Sequence, residues 1–259
     1  TLTHSVLLPL FDQSWRAILT LWGVVAVAAG MVWYVIATVV GRQVSGFEDG
    51  SEASGGGTTR GLSVRSLIRI PGVPLVLAMS VGVFLINHGL NNWLPEMLRE
   101  RGMSLTEAGY WAALPMLIGI IGSLTIPRLA TPERRFLILG LLCAAAAVSS
   151  YLLTIQASGT TTTALLVQGL VRSSLMTVLI LTLVELPGIR PEQAGTASGL
   201  FFSAAEVGGV LGPLGLGFIY DVTQGFNAGL YTLTAVSTLM VLGTLRLVRL
   251  VRRDTISVP

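Results

Sequence analysis

Thr163–Pro187 reads TALLVQGLVRSSLMTVLILTLVELP, with one charge, Arg172, in its interior and another, Glu185, close to its end. About 20 predominantly apolar residues are needed to cross a hydrocarbon core, and this stretch exceeds that length. Six others do the same: 17–40, 72–97, 106–129, 135–156, 194–220 and 226–248. Seven such runs are too much apolar sequence for the buried helices of a water-soluble fold. A backbone in lipid must satisfy its own hydrogen bonds, so each run is expected as a helix. The fold class is an all-α polytopic membrane protein with seven transmembrane helices.

Composition agrees. The 259 residues are 52% hydrophobic and 11% charged, with a mean hydropathy of +0.76; ordinary soluble domains carry about 25% charge. That excludes a soluble globular enzyme, a disordered regulator and a nucleic-acid binder, all of which need more surface charge. All 16 basic residues are arginine. The single cysteine, Cys143, cannot form an intrachain disulfide, and two histidines are too few for a zinc site built on His. No metal or organic cofactor is indicated.

The arginines orient the bundle. Alternate loops hold Arg42, Arg60, Arg65 and Arg69, then Arg128, Arg134 and Arg135, then Arg190, and the tail adds Arg246, Arg249, Arg252 and Arg253. The opposite side holds only Arg16, Arg99 and Arg101. The long loop and the C-terminus are therefore expected in the cytoplasm, in a multi-pass protein of the inner or plasma membrane. Helix starts are marked by Ser104 with Glu107, a capping box, by Thr131 with Pro132, and by Pro191.

Thr1–Leu10 is a half-length apolar stub without a charged n-region, and reads as the tail of an eighth helix in a fragment of a longer chain. Within the loop Gly41–Pro71, the Gly/Ser/acid-rich middle Ser45–Gly61 reads as a flexible linker. Its end, Leu62–Ile70, mixes Leu62, Val64, Leu67 and Ile68 with Arg65 and Arg69; it suits either a short amphipathic helix on the headgroups or a solvated linker end.

One span, a long loop and then six spans with short connections is the context for three sequence patterns. Ser14-Trp15-Arg16 leads into the first span. Gly122-Ser-Leu-Thr-Ile-Pro127-Arg128 is followed by Arg134-Arg135. Gly195-Thr-Ala-Ser-Gly199, Gly208-Gly209-Val-Leu-Gly212-Pro213 and Gly217-Phe-Ile-Tyr220-Asp221 fill the sixth span. In this order the chain resembles the major facilitator superfamily over essentially its whole length. The first pattern is similar to the opening of helix 6 in that family, and the third to helix 11 of many bacterial members. The second is similar to the C-half copy of the helix 2–3 loop signature, here without the signature Asp and with Pro127 inside it. Asn91-Asn92-Trp93-Leu94-Pro95 is similar to the cyanate/nitroimidazole permease-like subgroup. The resemblance implies that residues 1–40 are the end of helix 5 and helix 6, 41–71 the cytoplasmic central linker, 72–248 the C-terminal six-helix half and 249–259 a cytoplasmic tail. It also implies a partner: the N-terminal half of the same transporter, absent from this sequence.

Two charges lie near the middle of a span, Arg172 and Glu206. Each costs at least about 2.5–3.5 kcal/mol at bilayer depth, so each needs a reason. Arg172 reads as a cation facing the translocation path or as a structural partner of Glu206 or of backbone carbonyls. Glu206 reads as a proton carrier or as that arginine's counter-ion, and Glu185 as a gate or interfacial residue. Asn87 lies over Asn91 and His88 over Asn92 on one broad polar face, a substrate patch or interhelical hydrogen-bond glue. Gln168, Arg172 and Ser173 or Thr177 form a polar stripe on the fifth span. Tyr110 and Trp111 suit either a pocket wall or the aromatic belt. The candidate substrate-binding residues are thus Asn87, His88, Asn91, Asn92, Gln168 and Arg172, with Glu206 for proton coupling or charge balance. Gly122, Arg128, Gly212, Pro213 and Asp221 are the candidate gating residues.

The resemblance implies a permease for a small organic solute that works by alternating access; Arg172 adds the expectation of an anionic or polar group on the solute, and Glu206 that of proton coupling. An ABC-type permease subunit is one alternative, although the long loop lacks a coupling helix. An intramembrane hydrolase built on Ser198 is another, but no histidine follows it in the chain. A retinal-binding receptor is excluded by the absence of lysine.

Overall fold

The computed structural model describes residue 11 and residues 14–48 and 64–256. Thr1–Leu10, most of the linker middle, Leu62 and the final three residues lie outside the described residues, as do the readings made for them. Two units divide at Arg60 and Gly61.

The first unit holds α1, Trp15–Glu48. The Ser14 hydroxyl accepts from the Ala17 N–H at 3.4 Å and caps its start. The helix runs past the expected end at 40 because no proline or glycine pair interrupts the text before Gly50. Residues 41–48, the first of the expected linker and including Ser45–Glu48 of its Gly/Ser/acid-rich middle, are therefore helical.

The second unit begins with the short α2, Val64–Ile68, whose Leu67 is fully buried while Val64 and Ile68 stay exposed. Six long helices follow: α3 (Val73–Glu100), α4 (Leu105–Leu129), α5 (Arg135–Leu152), α6 (Ser158–Val184), α7 (Ala194–Thr223) and α8 (Asn227–Ile256). With α1 these make seven helices long and apolar enough to cross a membrane, and no strand occurs among the described residues. The expected capping box forms at Ser104 and Glu107. The helix expected to open at Thr131-Pro132 starts instead at Arg135, because Pro132–Arg134 form a turn in which the Thr131 carbonyl accepts from the Arg134 and Arg135 N–H groups. At the far end α8 continues through the arginine-rich tail to Ile256, since arginine is a good helix former and nothing there breaks the helix.

Packing places α3 and α6 inside and leaves much of α4 and α7 exposed. On α3 the buried residues Val76, Met79, Val83, Ile86, Leu90, Leu94 and Met97 recur every three or four positions, a continuous core-facing stripe. α3 packs chiefly on α7, α4 on α6, and α5 joins α6 to α8. Small residues let two of these pairs touch through their backbones. A Cβ on Gly208 would lie 1.9 Å from the Val81 carbonyl oxygen and one on Gly212 2.4 Å from that of Leu85. At the α4–α6 crossing a Cβ on Gly169 would lie 2.7 Å from the Pro115 oxygen, and one on Gly122 equally close to the Leu170 oxygen.

Candidate functional site

Arg172 sits on α6, 8% exposed, where α3 and α4 converge on it. Its Nε donates to Asn87 Oδ1 at 2.7 Å and its Nη2 to the Asn87 backbone oxygen at 3.0 Å. One residue of α3 thus fixes the plane of the guanidinium. With Asn87, Asn91, Pro115, Met116 and Ser173, Arg172 lines a cavity of about 170 Å³. No carboxylate lies among these lining residues. The site is a positioned cation in a small chamber whose other polar groups are two amides and a hydroxyl, which suits an anionic or strongly polar ligand group.

The remaining candidates fall elsewhere. Asn92 folds back on its own helix, its Nδ2 donating to the His88 carbonyl at 2.9 Å. The His88 ring stacks on Phe84 with centroids 5.3 Å apart and faces α7. Glu206 is exposed on α7 and lies beside His88: its carboxylate oxygen is 3.0 Å, and the His88 ring 3.7 Å, from the point where a Cβ on Gly209 would sit. Both Arg172 hydrogen bonds go to Asn87, so the alternative of a direct Arg172–Glu206 pair is not what the structure has; of the two structural partners weighed, it has the backbone carbonyl. Gln168 is buried against α5, where its Nε2 donates to Ser150 Oγ at 3.1 Å and its Oε1 has no partner. It does not line the Arg172 cavity.

Among the gating candidates, Gly122 and Gly212 are points of backbone contact between helices. The Pro213 carbonyl accepts the Trp93 indole N–H at 2.9 Å. Trp93 packs in turn with Tyr220 and Phe226, whose rings lie 4.6 Å apart, in an aromatic cluster that ties α3, α7 and the start of α8. Asp221 and Arg128 are exposed in the last turns of α7 and α4, and Tyr110 and Trp111 are exposed on α4 outside the cavity lining.

Sequence reasoning missed two arrangements. The buried Arg135, at the start of α5, pairs with Glu185 at the end of α6 at 2.6 Å, leaving its Nε buried without a partner. Both residues flank the arginine-rich ends of their spans, which was the available signal. At the opposite end Arg101 donates to Thr161 Oγ1 at 2.7 Å and to the Leu153 carbonyl, joining α3 to α5 and α6. Burial lowers the pKa of the Arg101 guanidinium, but from so high a value that it stays charged at neutral pH. Pro115 and Met116, which wall the cavity, carry no polar signature that could have marked them.

A family model for the Major Facilitator Superfamily matches residues 4–213. A Quinolone resistance transporter of Acinetobacter baumannii is 31% identical over 167 residues, which are 58% of this chain and 35% of that protein. The match thus spans about a third of the relative's length. With seven apolar helices of crossing length and this family match over most of its length, the chain is a multi-pass membrane protein and belongs to the Major Facilitator Superfamily, a family of transporters rather than enzymes.

Proposed function

We propose that this chain contributes the cation-bearing half of a secondary transporter for small organic solutes with an anionic or strongly polar group. The observation that carries this reading is the Arg172 guanidinium, held by Asn87 at a cavity lined without a carboxylate. A solute carboxylate would take the guanidinium N–H groups left free by Asn87, with Asn91 and Ser173 adding hydrogen bonds. Charge-assisted bonds of this kind contribute about 1.5–3 kcal/mol each. For Glu206, which has no ion pair with Arg172 and flanks Gly209 together with His88, the reading kept is the proton carrier. The backbone crossings at Gly208, Gly212 and Gly122 suit helices that shift against each other during alternating access.

A cavity of about 170 Å³ is smaller than the roughly 300–1,000 Å³ of small-molecule sites. A second, N-terminal half would enlarge and close it, and the greater length of the Acinetobacter relative supports such a partner. The arginine-rich end is assigned to the cytoplasm and the protein to the inner or plasma membrane, on the arginine bias alone. The relative's name makes quinolones, heterocycles bearing a carboxylate, the first compounds to try. The Asn91–Pro95 resemblance adds cyanate and nitroimidazoles to the same panel.

The test is uptake into proteoliposomes holding the whole transporter, with and without an imposed pH gradient. Gradient-driven uptake of carboxylate solutes, lost in Arg172→Ala and uncoupled from the gradient in Glu206→Gln, is expected. Uptake confined to cations, or unchanged in Arg172→Ala, would overturn the reading.

A further inference from the structure

We propose that the groove between α5 and α8, at the arginine-rich end of the bundle, binds an anionic phospholipid as a specific structural ligand. Two hollows share Leu245 as their dividing ridge. One, of about 510 Å³, runs between Leu137 and Leu141 of α5 and Leu245 of α8, with Glu133 and Arg252 at its mouth. The other, of about 470 Å³, is formed on α8 by Leu242 and Leu245 and ends at Arg246 and Arg249. Leu137, Leu141, Leu242 and Leu245 are all more than half exposed although they lie in helices of membrane-crossing length.

The order of residues along one face of α8 gives the ligand its chemistry. Leu242, Leu245, Arg249 and Arg252 follow one another at steps of three, four and three residues and so share a stripe. The stripe changes from apolar to cationic within a single turn, as a phospholipid does where its acyl chains meet the phosphate. One acyl chain on each side of Leu245 brings the phosphate to the level of Arg249 and Arg252. The two ion pairs seen among the described residues, Arg99–Glu96 and Arg135–Glu185, engage neither arginine. Glu133 is the one carboxylate in the lining, against Arg246, Arg249 and Arg252, so the mouth is net cationic and selects a lipid with a net negative headgroup. Bulk lipid wets any exposed helix; a concave two-helix groove leading to a pair of guanidiniums retains one molecule.

The experiment is native mass spectrometry of the delipidated chain in neutral detergent, titrated with phosphatidylglycerol, phosphatidylcholine or glycerol 3-phosphate. One phosphatidylglycerol per chain is expected, bound at least tenfold more tightly than phosphatidylcholine, with no binding of glycerol 3-phosphate. Arg249→Gln/Arg252→Gln should weaken phosphatidylglycerol about twenty-five-fold, from about fivefold per guanidinium at the headgroup level. Leu141→Trp, which fills the hollow and leaves every charge in place, should weaken it at least fivefold. Circular dichroism checks that both variants keep their helix content, and the comparison of lipids on the unaltered chain stands without them. Equal retention of the two lipids, indifference to either substitution in a folded variant, binding of glycerol 3-phosphate alone, or a pair of chains in place of the lipid would each overturn the proposal.

Discussion

Gly208→Ala tests the packing on which the site rests. A Cβ there would lie 1.9 Å from the Val81 oxygen, 2.7 Å from the Val81 carbonyl carbon and 3.0 Å from the Leu85 nitrogen. Carbon–oxygen contacts settle at about 3.3 Å, so α3 and α7 must separate by more than an ångström. The obstacle is backbone, and no side chain can swing aside. Overpacking of this kind costs about 1–3 kcal/mol, and the upper half of that range is expected because Gly212 holds the same two helices together one turn further on. Gly215, on the same helix, has nothing within 4 Å of its Cβ position. Gly215→Ala should therefore stay within about 0.5 kcal/mol of the unaltered chain. Unfolding in mixed micelles of rising SDS fraction leaves helices largely formed and reads mainly their separation. Tryptophan fluorescence reports it, since Trp93 bonds to Pro213 across this interface. Equal stability of the two variants, or a Gly208→Ala chain the more stable, would refute the α3–α7 contact.

Other consequences follow from single contacts. Asn87→Ala removes the acceptor of Arg172 Nε, and thermal unfolding should show a loss of about 1.5–3 kcal/mol. Asn87→Asp keeps that acceptor and neutralises the guanidinium, so stability should be retained while calorimetry shows anion binding lost. Glu185→Gln strips the buried Arg135 of its counter-charge; with Glu185 itself partly exposed, the loss in the same thermal assay should fall between the ~1 kcal/mol of surface pairs and the ~3 kcal/mol of buried ones. Ser104→Ala dismantles the capping box of α4 and should cost about 1 kcal/mol, with Glu107→Gln costing less because an amide can still accept.

The spans were legible because a membrane demands the same thing of every helix, a long apolar run, and the sequence has seven of them. Ends were less so. Thr131-Pro132 has the chemistry of a helix start, yet the chain spends three further residues in a turn before α5 begins at Arg135. The arginines after residue 248 have the polarity of a tail, whereas their helix propensity carries α8 on to Ile256. Within the site, Arg172 and Asn87 each stood out as polar text inside an apolar span. Their pairing depends on the rotation of α6 against α3, which no spacing along one helix encodes. The same holds for Glu206 and His88, which the rotation of α7 against α3 brings to the same glycine, Gly209, and for Gln168, one turn from Arg172 but turned into α5. Pro115 and Met116 show a further limit: apolar residues that wall a polar cavity look like any others in a span.

The most direct test of the central claim, that Asn87 holds Arg172 ready for an anion, is ligand-induced thermal stabilisation of the whole transporter across organic anions, neutral heterocycles and cations. The account predicts a shift with carboxylate-bearing compounds that vanishes in Arg172→Ala. A shift that survives that substitution, or one seen only with cations or neutral compounds, would contradict it and leave Arg172 a structural tie between α6 and α3.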